Sequence, residues 1–295
     1  MRLVIHGIDL TTLAIPFYIV FMALELIAVR FFPDPDEQGY AVKDTATSLS
    51  MGIGSIVCNL GWGLVTVAAV AGLHAVSPWR IGSTAASWIV LFVAYDFCYY
   101  WEHRANHRVR ILWASHVVHH SSQHYNLSTA LRQTWTGVGN TIFILPLALA
   151  GFPAYMIFAT GSMNLLYQFW IHTERIGKMW RPVEFVMNTP SHHRVHHGSN
   201  QGYLDKNYGG VFIVFDRMFR SFEPEGEPVR YGLTKNISTY NPLRVAVHEY
   251  AAIARDVRAA QRWRDRAGYL LRGPGWAPRN VGVSVAAGAG AGAGA

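Results

Sequence analysis

Most of the 14 histidines in this 295-residue chain fall in two short windows. The first reads HRANH and then HVVHH; the second reads HHRVHH. His103 and His107 are four residues apart, so on a helix they share one face. His116, His119 and His120 sit at i, i+3 and i+4, and His193, His196 and His197 repeat that pattern. His192 stands four before His196, and His172 lies between the windows. Neutral imidazole is a borderline-soft ligand that suits Fe, Zn, Cu and Ni. One HxxxH pair could hold one metal. Eight to ten converging imidazoles suffice for two, with positions left open for oxygen or substrate. Packed without metal, that many ring nitrogens would leave many donors and acceptors to satisfy. The zinc-hydrolase patterns HExxH and HxxEH are absent, and Glu102 precedes His103 in the wrong order.

HRANH, HVVHHSSQHYNLSTALR, FWIHTERIG, TPSHHRVHHGSN, LDKNYGG and FDRMFRSFEPE together resemble the membrane-bound fatty acid hydroxylase superfamily. The similarity is to its sterol desaturase-like branch, near the alkylglycerol monooxygenases. PVRYGLT and GPGWAP extend it, so that it runs from about Tyr95 to Pro278. It implies a non-haem diiron centre that activates dioxygen on a lipid. The implied ligands are His103, His107, His116, His119, His120, His172, His193, His196 and His197, with His192 as a tenth. His124 is expected not to bind metal, and His6, His74 and His248 stand alone. Glu174 and Asp205 are expected to support ligands without joining them. One departure is Arg220, where relatives tend to carry glycine, which puts that loop's backbone geometry in question.

The chain must hold these residues in one place. Half of it is hydrophobic, 15% is charged and mean hydropathy is +0.15, too apolar for an ordinary soluble domain. The expected fold is all-α, an integral membrane helical bundle carrying a cytoplasmic, histidine-rich di-metal domain. Transmembrane helices are expected within 1–101, from apolar runs at about Asp9 to Phe32, Ser48 to Val76 and Ser83 to Trp101. The catalytic region is 102–280, with a membrane hairpin or two tilted spans at 138–171, and 281–295 is a disordered low-complexity tail. Both histidine windows must lie on one side of the bilayer, so the chain has to return between them. Glycines 52, 54, 61 and 63 suggest a second helix packed inside the bundle. Glu25 either faces the bundle or, as the favoured reading, lies near the interface. Asp96 can either orient a ligand or snorkel, and Asn164 and Gln168 either line a channel or bond between helices. Asn241 to Arg272 reads as one basic amphipathic helix, lying on the membrane or on the metal domain.

The net charge of +7 would fit a nucleic-acid partner in a soluble chain, but here the basic residues read as membrane-surface anchors, and no nucleic acid is expected. Four Lys and Arg precede His103 and the rest of the 25 follow it, which puts both histidine windows in the cytoplasm. Cys58 and Cys98 lie in apolar runs and define no disulfide framework. The function expected is a membrane-bound oxidoreductase that hydroxylates or desaturates a sterol, fatty acyl chain or related lipid with dioxygen. The alternatives are an ether-lipid (alkylglycerol) monooxygenase or a zinc-dependent membrane hydrolase. No dinucleotide, haem or flavin motif is present, so electrons must come from a separate ferredoxin, cytochrome or reduced pterin.

Overall fold

The computed structural model describes residues 4–5, 8–137 and 139–278. The expected tail at 281–295 and His6 lie outside them. Apart from the two-residue strands Val4–Ile5 and Ile8–Asp9, the described chain folds as helices. These are α1 (Leu10–Leu13), α2 (Ile15–Phe31), α3 (Val42–Val76), α4 (Ala85–Arg108), α5 (Arg110–His120), α6 (Asn140–Leu149), α7 (Ala154–Trp170), α8 (Arg181–Val186), α9 (Pro190–His196), α10 (Val214–Met218), α11 (Pro242–Ala259) and α12 (Trp263–Leu271).

The apolar runs become the long helices. α3 has 35 residues, about 52 Å of helix, and is the one helix among the described residues that passes as long and apolar enough to cross a membrane. α2 has 17 residues and leaves Phe17, Ile19, Val20, Phe21 and Leu24 exposed; α3 does the same with Ile53, Ile56, Val57, Leu60 and Leu64. Gly52 and Gly54 of α3 admit close approach by Leu131 and Trp135, but Gly61 and Gly63 meet open space, so only half of that glycine set packs.

α4 opens on a capping box, in which the Thr84 side chain accepts from Ser87 N–H and Ser87 answers the Thr84 backbone. It continues without a break from its apolar half through His103 and His107. Val109, in extended conformation, then separates α4 from α5, which packs back against it. α6 and α7 form the pair read as a hairpin. The turn between them needs Gly151 at φ +96°, because a side chain there would strike the Trp79 carbonyl at 2.7 Å. Val70, Leu91, Leu147, Ala148, Met156 and Ile157 form the core that joins α3, α4, α6 and α7.

Three polar residues in or beside these helices bind segments together. Glu25 is buried: it accepts from Tyr40 Oη (2.5 Å), Leu127 N–H (2.8 Å) and the Thr173 hydroxyl, which ties α2 to the segments beside the histidines. Asp96 accepts from Val211 N–H, Phe212 N–H (both 2.8 Å) and Asn164 Nδ2 (2.6 Å), tying α4 and α7 to the segment behind the site. Gln168 bonds to Tyr99 and to Asn164, so this pair links helices. The C-terminal helix is broken: Ala260 and Arg262 are extended, dividing α11 from α12. α11 rests on the metal domain, where Arg110 of α5 meets Glu249 (2.7 Å) and Asp256 (2.6 Å).

Candidate metal centre

Nine histidines meet in two groups. His103, His107, His116, His120 and His196 form one, and His119, His172, His193 and His197 form the other. Within each, one ring nitrogen per residue lies within 4.8 Å of all the rest. The groups adjoin: the His120 and His197 rings stack with centroids 4.4 Å apart. Helical geometry explains the partition. On α5 the i, i+4 pair His116 and His120 faces one centre, while His119 is rotated toward the other. On α9 His196 joins the first centre, while His193 and its i+4 partner His197 join the second.

Backbone carbonyls set the ring tautomers. Nδ1 of His103 donates to the Tyr208 carbonyl (2.8 Å), Nδ1 of His172 to Gln168 (2.7 Å) and Nδ1 of His196 to Lys206 (2.9 Å). A carbonyl only accepts, so the proton sits on Nδ1 and Nε2 presents a bare lone pair. These lone pairs converge: His103 Nε2 is 2.9 Å from His116 Nε2, His196 Nε2 is 3.1 Å from His120 Nε2, and His172 Nε2 is 3.0 Å from His193 Nε2. The buried Nε2 atoms of His107 and His197 have no hydrogen-bond partner among the described residues. A cation at each centre would satisfy bare and orphaned nitrogens alike, so the donor set fits two metals. Imidazole nitrogens alone make up both groups, a set compatible with iron or zinc.

Burial holds all nine imidazoles well below their ordinary protonation range, and their mutual proximity adds to this for most of them. His172 is lowered to about 3 and His196 to about 4, burial being the main cause in both. They are therefore neutral at pH 7, as ligands must be.

His192, expected as a tenth member, is not in either group. Its Nε2 faces Glu184 Oε2 at 2.8 Å and its Nδ1 lies 3.3 Å from the Thr189 hydroxyl. The i+4 relation to His196 is real, but Glu184 of α8 captures the ring. His124, His74 and His248 also stand outside both groups. Asp205 approaches His107 Nδ1 only at 3.9 Å and gives its shorter contact, 2.6 Å, to Arg108. Glu174 accepts from Gln38 and Gly39 N–H, anchoring the segment before α3. Sequence reasoning missed Glu184 and Asp216. Asp216 accepts from Tyr208 N–H (2.8 Å), Gly209 N–H (2.7 Å) and Ser221 Oγ (2.7 Å), and so fixes the segment whose carbonyls hold His103 and His196.

A cavity of about 620 Å³ opens beside both groups. His107, His120, His196 and His197 line one side, and Glu249 and Arg255 of α11 face them.

Residues 88–221 match the fatty acid hydroxylase family. The chain is 40% identical to human alkylglycerol monooxygenase over 280 residues, which is 92% of this chain and 60% of that protein. It is 41% identical to the Danio rerio alkylglycerol monooxygenase over 272 residues, 90% of this chain and 59% of the relative. An ornithine lipid hydroxylase of Rhizobium tropici is 24% identical over 156 residues, 48% of this chain and 44% of the relative. The chain thus spans about 60% of the length of the alkylglycerol monooxygenases it matches most extensively. No solved structure matches it significantly. All nine grouped histidines fall inside the span matched to the family, and with them the segments that orient their rings: the region 88–221 of the chain is of the fatty acid hydroxylase family.

Proposed function

We propose that the protein is a membrane-bound, dioxygen-dependent monooxygenase of lipids, with an alkylglycerol-type ether lipid as its substrate class. The observation that carries the reading is the pair of adjacent all-histidine groups at the foot of α4, the helix whose other half is apolar. The names of the relatives at about 40% identity favour the ether lipid over the sterol or fatty acyl chain that the motifs alone put first. Bound there, two iron ions would supply the oxidising power to place one oxygen atom into a C–H bond and reduce the other to water, consuming two electrons and two protons.

The chain's own residues hold ligands and arrange access. The carbonyls of Tyr208, Gln168 and Lys206 keep three Nε2 lone pairs aimed inward. α2, α3, α4 and the α6–α7 pair are read as the membrane-embedded part. Exposed apolar residues along α2 and α3 support this, because the described residues leave them uncovered. A lipid would then reach the site by lateral diffusion within the bilayer. The cavity beneath α11 gives an external electron donor an approach from the water side. The excess of Lys and Arg after His103 supports a cytoplasmic location for that side. A zinc hydrolase would need a carboxylate base beside the metal, and Glu174 is engaged with backbone N–H groups instead.

The test is metal analysis of the detergent-purified chain with oxygen-uptake assays on an alkylglycerol and a reductant. Two irons per chain, substrate-dependent oxygen uptake, and loss of both in His196→Ala and His119→Ala are expected. One tightly held zinc with turnover that ignores oxygen would overturn the reading.

A further inference from the structure

Next to the first cavity, and sharing Leu204 and Asp205 with it, lies a second of about 400 Å³. Arg104, Arg108, Lys206 and Arg220 line it, with Asp205 as its one carboxylate. Some of this charge is already engaged. Arg108 pairs with Asp205 at 2.6 Å, and Lys206 lies 3.8 Å from Glu223. Arg104 gives Nη1 to the Tyr100 hydroxyl (2.7 Å) and the Phe219 carbonyl (3.3 Å), both neutral groups, and its nearest carboxylate influence is Asp216, with which it makes no ion pair. Arg220 makes no hydrogen bond or ion pair with any described residue. It also holds φ at +59°, the left-handed conformation that glycine adopts freely and an arginine adopts at a cost. Asp205 (φ +61°) and Asn207 (φ +54°) are left-handed in the facing wall, a role that suits their short polar side chains. The loop thus keeps a glycine-type backbone while presenting a guanidinium to a cavity that already carries excess positive charge.

We propose that this cavity binds a phosphate group. Guanidinium forks and a lysine ammonium on one concave wall, with the Tyr208 and Ser221 side chains beside them, match the acceptor oxygens and charge of a phosphate ester. The Arg104 guanidinium stands 5.5 Å from the Trp101 ring, at the aromatic end of the apolar half of α4, which on the membrane reading proposed above puts the cavity near the bilayer surface. A phospholipid headgroup and a soluble phosphate present the same chemistry there. The wall of the cavity is the Asp205–Tyr208 segment, whose Lys206 and Tyr208 carbonyls orient His196 and His103, so an anion bound here would brace the metal site from outside.

The experiment uses the full-length protein in a non-ionic detergent at fixed ionic strength and reads its unfolding midpoint. Inorganic phosphate and dihexanoyl phosphatidic acid are titrated separately against a chloride control. A saturable rise of the midpoint is expected, and the concentration giving half the rise should be at least about tenfold higher in Arg220→Gly. Glycine tolerates the local φ, so that variant should not melt lower than the wild type without ligand. Lys206→Gln, which keeps the backbone carbonyl, should weaken the response in the same direction. A response to both probes assigns the site to phosphate in general, and a response to the short-chain lipid alone assigns it to a headgroup. No saturable rise with either probe, or equal half-rise concentrations in wild type and both variants, would overturn the proposal. The readout needs no turnover, so it stands apart from the test of the oxygenase reading.

Discussion

Arg132→Leu should cost the fold about 4 kcal/mol. Arg132 is 1% exposed and Asp44 2%, and Nη1 lies 3.1 Å from Asp44 Oδ1. Coulomb attraction at that separation is about 5 kcal/mol at an effective dielectric of 20. Removing one partner of a buried pair typically costs about 3–5 kcal/mol, because the other charge stays buried and unmatched. The same arginine also donates through Nε to the Val118 carbonyl and the Ser121 hydroxyl (both 3.2 Å), at the end of α5 that carries His119 and His120. Against a net stability of roughly 5–15 kcal/mol, the loss is a large fraction of the whole. It should appear as a large fall in the unfolding midpoint and in reduced metal content. The control is a double-mutant cycle with Asp44→Asn. With the carboxylate neutralised, Leu at 132 should be much better tolerated, giving a coupling of about 2 kcal/mol or more. A loss below about 1 kcal/mol in Arg132→Leu, or additive single losses, would refute the argument that this pair fixes α3 to the end of α5.

Asp216→Ala strands the Tyr208 and Gly209 N–H groups in a buried site and should cost about 2–4 kcal/mol; metal analysis should show lowered occupancy, since the Tyr208 carbonyl would no longer be held against His103. Glu25→Leu leaves the buried Leu127 N–H unmatched and should lower the unfolding midpoint by the equivalent of about 1–3 kcal/mol. Acid should destabilise the metal-free chain. His172 and His196 protonate near 3 and 4 when folded but near 6.5 when unfolded, so between those values the unfolded state binds more protons and stability falls as pH falls. These two residues alone give a slope of about 2 kcal/mol per pH unit near pH 5.5, and a midpoint flat from pH 7 to 5 would contradict it. A chelator should lower the midpoint at neutral pH, because metal bound only by the folded chain stabilises it by mass action.

The histidine array and the long helices were legible because each rests on a short-range period. His103 with His107, and His116 with His120, are fixed as neighbours by 3.6 residues per turn alone. The apolar runs became α2, α3 and α4, and the break at Gly151 to Pro153 became the α6–α7 turn. The break between α11 and α12 was not legible, because no proline or glycine marks residues 260–262. The partners of Glu25 were not legible for a different reason: Tyr40, Leu127 and Thr173 are distant from it in sequence, and a carboxylate in an apolar run carries no sign of which way it faces.

His192 shows where periodicity stops. At i+4 from His196 it is indistinguishable from a ligand on a helical wheel, and only Glu184 on another helix turns it away. The groups that orient the clustered histidines are equally silent, for they are main-chain carbonyls at Gln168, Lys206 and Tyr208, which no side-chain pattern encodes. The division has a consequence for mutagenesis. Side chains at 168, 206 and 208 can change while the carbonyls stay, whereas Asp216 touches no histidine and still holds the backbone that two of them depend on. Outside the histidines themselves, sensitivity at the candidate centre should therefore track the hydrogen bonds to the backbone of segment 206–209 more than proximity to the rings.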